Sequence, residues 1–104
     1  MNLLSAVLAL LVAGSVMVSS AGADPAASRG AALANACAAC HGPDGRSQGA
    51  IPPIDTLSAE DFVAALKGFR TEVRKGTVMN LIAKGLDDAE IGATAAYFAS
   101  RRAR

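Results

Sequence analysis

Residues 34–45 read ANACAACHGPDG. The only two cysteines and the single histidine of the 104-residue chain lie together in this stretch, as Cys37, Cys40 and His41. Three chemistries call for such a cluster: a redox dithiol, a metal site, or covalent attachment of haem. The sequence on either side has to discriminate among them.

A thioredoxin-like dithiol needs a strand before the Cys-x-x-Cys pair and a β-rich scaffold, and neither is evident. A structural disulfide between Cys37 and Cys40 would close a very short loop, gain little closure entropy and leave His41 unexplained. Zinc needs four ligands in a structural site and three in a catalytic one. No second Cys or His cluster exists to complete a closed set. Cys-x-x-Cys-His is, by contrast, the attachment motif of c-type haem. Two thiols on one helical turn add to the two vinyl groups of the porphyrin, and the next residue offers its imidazole to the iron.

Outward from the motif, the chain reads as helix and loop. Asp24-Pro25 opens a helix, with Asp as N-cap and Pro at the first helical position, running to about Cys37. Gly30 costs that helix about 1 kcal/mol relative to alanine, so a packing reason is expected for it. Residues 42–56, GPDGRSQGAIPPIDT, carry turn chemistry throughout. Ser58, with Asp61 three residues on, starts a second helix whose Phe62, Leu66 and Phe69 form one apolar stripe, with Val63 beside it. A polar stretch, residues 70–76, leads to a short apolar piece from Val78 to Ala83, and Lys84-Gly85 marks a stop. Asp87 or Asp88 caps a last helix to about Ser100, with Ile91, Ala95 and Phe98 on one face and Tyr97 at its edge. Arg101, Arg102 and Arg104 follow, where cations suit a helix C-terminus. The pattern predicts one small all-α domain without repeats.

Residues 1–23 contain no charged side chain and end in Ala21-Gly22-Ala23. Small residues at the first and third of those positions fit signal-peptidase cleavage before Asp24. An apolar run of about 18 residues would also suffice for a membrane anchor. The polar, Pro-containing exit favours a cleaved signal peptide and export to a periplasm. The domain is then residues 24–104, near the lower size limit for a self-sufficient core. It has no Trp and only Phe62, Phe69, Tyr97 and Phe98 as aromatics. A large apolar prosthetic group bonded to the chain would supply the missing buried surface. The net charge of +1 argues against nucleic-acid binding.

Cleavage would also remove Met1 and Met17, leaving Met79 as the one methionine. A lone Met is ordinarily core filler. Next to a haem motif it is the second axial ligand, the one that raises the potential. The expected iron ligands are therefore His41 and Met79, with Cys37 and Cys40 holding the haem. A ligating histidine donates its other ring N–H to a fixed acceptor. The Pro52 carbonyl, in Ile51-Pro52-Pro53-Ile54, is placed to be that acceptor. Crossing of the first and last helices would set Gly30 against the Tyr97 ring. The cations Lys67, Arg70, Arg74 and Lys75 would steer an acidic partner or pair with haem propionates, or else form a solvated loop.

The chain resembles the class I c-type cytochromes over about residues 26–100. The resemblance rests on Cys37-Ala38-Ala39-Cys40-His41-Gly42, Pro52-x-Ile54, Thr77-Val78-Met79 and the closing Asp87-Asp88-x-Glu90-Ile91…Ala96-Tyr97-Phe98. It implies about four helices wrapped around one covalently bound haem c, with the terminal helices packed crosswise. Within the class, VMNLIAKGLDDAEIGATAAYFAS is similar to the cytochrome subunits of flavocytochrome c sulfide dehydrogenases, whose haem accepts electrons from a flavoprotein. That resemblance implies electron transfer rather than bond-making catalysis, with redox proteins as partners and no membrane contact once the signal is removed. A freely diffusing carrier between respiratory complexes is the rival reading. A gas-binding sensor or peroxidase is a third, and requires that Met79 leave the iron.

Overall fold

The computed structural model describes residues 14–17, 22 and 24–102. The expected export segment, residues 1–23, lies largely outside the described residues. Four helices follow in order: α1 (Pro25–His41), α2 (Ala59–Arg70), α3 (Met79–Lys84) and α4 (Asp88–Arg102), with a 3-10 turn at Pro43–Gly45. No strand occurs among the described residues. The fold is all-α, as the sequence predicts.

The helix starts follow from local chemistry. The Asp24 side chain accepts from the Ala26 N–H at 3.1 Å, ahead of Pro25. The Ser58 hydroxyl accepts from the Asp61 N–H at 3.0 Å. Asp87 and Glu90 satisfy each other's backbone N–H groups, at 2.8 and 3.1 Å, in a reciprocal capping box. α1 runs through the motif to His41, four residues beyond Cys37, because nothing in CAACH interrupts a helix. It stops at Gly42, which leaves with φ +82°, a conformation that costs glycine little. α4 likewise extends to Arg102 rather than Ser100.

α1 and α4 pack against each other, as do α2 and α4 and α2 and α3. The buried apolar side chains are Ala34, Phe62, Leu66, Ala83, Ile91, Ala95 and Phe98. The Phe62 and Phe98 rings lie 5.6 Å apart, and Tyr97 meets Phe98 edge-on. Phe62 and Leu66 of the α2 stripe and the stripe on α4 thus form this core, with Phe69 and Val63 only partly buried against it, whereas α1 contributes only Ala34 to its fully buried set. The Arg29–Glu90 pair joins α1 to α4 at the surface. Arg102 Nη1 donates to the Thr56 and Leu57 carbonyls at 3.3 and 2.5 Å, and Arg101 donates to the Tyr97 hydroxyl at 2.9 and 3.0 Å. Arg102 therefore ties α4 to the loop before α2, whereas the Arg101–Tyr97 bonds lie within α4 and Arg101 reaches outward, among the described residues, only to Asp44, at 4.0 Å.

At Gly30 the backbones of α1 and α4 come close together. The atoms nearest to it belong to the Ala93 backbone, not to the Tyr97 ring the sequence suggests. A Cβ at residue 30 would lie 2.8 Å from the Ala93 carbonyl carbon and closer still to its oxygen. Backbone cannot swing aside as a side chain would, so the helices would have to separate. For Gly30→Ala we expect a net loss of about 1–3 kcal/mol from overpacking, despite the ~1 kcal/mol gain in helix propensity. On a domain of this size that lowers Tm by roughly 5–20 °C. A thermal melt followed by far-UV circular dichroism measures it, and an unchanged or higher Tm would contradict the close-crossing account.

Candidate functional site

The site is built on the last turn of α1 and the first residue of α3. Cys37, Cys40 and His41 are related by i,i+3 and i,i+4 spacing, which makes Cys37 a surface neighbour of both others on the helix. No disulfide joins the two cysteines; Cys37 is half-buried and packed against the core, and Cys40 is exposed. Burial pushes the Cys37 thiol above its ordinary pKa, partly offset by a backbone hydrogen bond.

His41 is buried, and its Nδ1 lies 2.6 Å from the Pro52 carbonyl oxygen. A carbonyl can only accept, so Nδ1 carries the proton and Nε2 keeps its lone pair. The imidazole is thereby fixed in one tautomer and one orientation, the arrangement a metal-ligating histidine needs. The loop that brings Pro52 there is pinned at its base. Ile54 and Asp55 both donate to the Gly45 carbonyl, at 2.9 and 3.3 Å, and Arg46 pairs with Asp55 at 3.5 Å.

Met79 opens α3, is partly buried and packs against the same core as Cys37. α3 rests on α2 and makes no contact with α1. The helix that ends in His41 and the helix that begins at Met79 therefore stand apart. Apolar side chains on both sides, Ile51 near Pro52 and Val78, Leu81 and Ile82 around Met79, are exposed. An open cleft of about 760 Å³ beside Cys40 runs along Ala39, Pro43, Ser47 and Ile51 but is not lined by His41 or Met79. Among the described residues, no three His, Cys, Asp or Glu side chains converge to hold a bare metal ion. Two thiols, an imidazole with a free lone pair, a thioether and uncovered apolar surface are instead the donor set and lining that suit a large, flat, thioether-linked iron macrocycle.

The cationic cluster expected before Met79 is largely engaged within the fold. Lys67 and Arg70 both pair with Asp88, at 3.8 and 2.5 Å, and Arg70 also donates to the Leu86 carbonyl at 3.2 Å. Arg74 lies over the Phe69 ring, 4.9 Å from its centroid. The Arg70 hydrogen bond, then the Lys67 charge, holds the Asp88 carboxyl below the usual carboxylate range. The Lys84 ammonium does the same for Glu72 from 2.9 Å.

One residue escapes a motif-based reading. Asn80, directly after Met79, donates from Nδ2 to the Phe69 and Arg74 carbonyls at 2.9 and 2.8 Å, and accepts from the Gly76 N–H at 2.9 Å. The only signal in the sequence is a side-chain amide at a helix start that follows a polar loop.

A small helical fold with a tethered buried imidazole beside paired thiols defines the class of covalent haem proteins. Sequence comparison agrees: the cytochrome c family profile matches residues 27–102. The chain belongs to the cytochrome c family, carries covalent haem c and is an electron-transfer protein. It is 45% identical over 71 residues to the cytochrome subunit of sulfide dehydrogenase of Chlorobaculum tepidum, covering 68% of this chain and 64% of that one. It is 41% identical over 68 residues to the thiosulfate dehydrogenase electron acceptor of Stutzerimonas stutzeri, covering 62% and 32% respectively. Cytochrome c-554(548) of Halomonas halodenitrificans is 38% identical over 69 residues, covering 62% and 83%. The chain thus spans less than two thirds of the length of the first two relatives. No helix among the described residues is long and apolar enough to cross a membrane.

Proposed function

We propose that this cytochrome accepts single electrons from a flavoprotein dehydrogenase of the sulfide-oxidising type and passes them on in the periplasm. In this reading residues 24–104 form one monohaem domain, released by cleavage of residues 1–23. Cys37 and Cys40 carry the haem, and His41 and Met79 are its axial ligands. When bound, the haem supplies a one-electron Fe(III)/Fe(II) couple. The protein's residues hold and tune it. Pro52 keeps the proton on His41 Nδ1, so Nε2 stays available and the imidazole cannot rotate. Phe62, Phe98 and Ile91 keep the interior dry. With both axial positions filled by side chains, no coordination site is open to a substrate, which favours electron relay over bond-making.

The observation that carries the choice of donor is the 45% identity to a cytochrome subunit of sulfide dehydrogenase. Purification of the native protein at moderate salt tests the proposal. The haem is expected to co-elute with a flavin-containing protein, and sulfide should reduce it only in that fraction. A lone haem protein that sulfide fails to reduce even with the flavin fractions restored would exclude this donor.

A second reading, a freely diffusing carrier, draws support from the Halomonas cytochrome, 83% of whose length this chain matches. The lone-protein outcome would favour it.

A further inference from the structure

We propose that Asn80 is a positioning residue that holds Met79 against the iron, by clamping the loop that delivers it. This rests on Met79 being the axial ligand. The first half of the segment between α2 and α3 is held by the Glu72–Lys84 pair and by Arg74 over the Phe69 ring, but the half beyond Arg74 has little else to hold it. Glu72 adopts φ +63°, unusual for a non-glycine residue, and the Arg74 N–H donates to the Gly68 carbonyl at 3.0 Å. Beyond Arg74, the backbone N–H bond that anchors the approach to Met79 is the one from Gly76 to Asn80 Oδ1. α3 itself has six residues, and its N-cap, Val78, offers no side-chain cap.

The Asn80 amide fits this task group for group. Its two N–H donors each meet a carbonyl, one at the end of α2 and one in mid-loop, while its oxygen meets an N–H. A single half-buried side chain thus joins residues 69, 74 and 76 to the turn that begins at Met79. Removing the amide breaks all three ties at once and leaves the carbonyls to water. The loop then gains freedom, and the fraction of molecules with Met79 in its ligating position falls. An external ligand that competes with Met79 binds more tightly in proportion.

The experiment uses the purified ferric holoprotein with imidazole as the competing ligand. In Asn80→Ala, imidazole affinity should rise about tenfold, equivalent to about 1.4 kcal/mol. The far-red Met–iron charge-transfer band should also disappear well below the temperature at which helix circular dichroism is lost. Asn80→Asp, which keeps the acceptor for Gly76 and loses both donors, should raise imidazole affinity by less than Asn80→Ala does. Unchanged imidazole affinity in both variants would overturn the proposal. So would a band that melts only together with the helices, because a purely structural role moves both transitions equally.

A measurement on the parent protein decides the matter even if the variants fail to fold. Coupling is reciprocal, so displacing Met79 with imidazole should speed hydrogen exchange at the Gly76 amide. An exchange rate unaffected by imidazole overturns the clamp. Met79→Ala separates this failure from failure of the ligand assignment. If that variant keeps the charge-transfer band, Met79 is not the ligand; if it loses the band while Gly76 exchange is indifferent to imidazole, only the clamp is wrong.

Discussion

Replacing both Cys37 and Cys40 with serine should yield a polypeptide that carries no covalent haem, so that acidified acetone strips any colour from it. Either single substitution leaves one thiol to form one thioether bond, and some colour should then survive extraction. The effect reaches past the cofactor to the fold. Among the described residues seven apolar side chains are buried, and three of them, Ala34, Ala83 and Ala95, are alanines. A domain of this length has on the order of 5 kcal/mol of stability in total. Burial contributes roughly 25 cal/mol per Å² of apolar surface. A macrocycle covering Ile51, Val78 and Ile82 would be worth more than the whole margin. The doubly substituted chain should therefore lose most of its helical circular dichroism at room temperature. A double variant that retains extraction-resistant haem would refute the attachment sites. One that folds normally without haem would refute the claim that the core depends on it.

Met79→Ala should lower the reduction potential by on the order of 0.1 V or more, within the roughly 0.8 V range that axial ligands command. Met is the ligand that favours the reduced iron, and its loss leaves water or nothing in its place. The ferric protein should turn high-spin, lose the far-red band and bind imidazole readily, and the ferrous protein should bind CO. Stability should change less, because Met79 is only partly buried and α3 rests on α2 alone. Potentiometry with optical detection measures the shift. A variant that keeps the parental low-spin spectrum and potential would remove Met79 from the iron and reopen the search for the sixth ligand. Rapid CO binding by the unaltered protein would point instead to a gas-binding role.

Much of this architecture is written locally. Ser58 and Asp61, and Asp87 and Glu90, are capping partners within one turn, and such contacts depend only on neighbours in sequence. The same is true of the stripes Phe62–Leu66 and Ile91–Ala95–Phe98, whose spacing alone assigns them to the buried side. The C-terminal limit of α1 was less legible, because CAACH is neutral as a helix former and only Gly42 with φ +82° ends it. The apparent basic face was misleading for a different reason. Asp88 lies 18 residues after Arg70 in the chain, and only folding brings the two within 2.5 Å.

The sequence by itself determined the family and the side chains on offer: thiols, imidazole and thioether are properties of side chains, and Cys-x-x-Cys-His sets its own spacing on a helical turn. It also determined that the chain is helical, through periodicity and caps. The tertiary structure decided how the donors are held. The Pro52 carbonyl fixes the His41 tautomer, Ala93 makes Gly30 necessary, and Asn80 gathers the carbonyls of Phe69 and Arg74 with the Gly76 N–H. In each case one partner is a backbone atom, and every residue type supplies those alike. Which backbone atom arrives depends on the path of the whole chain, so no residue pattern could announce it.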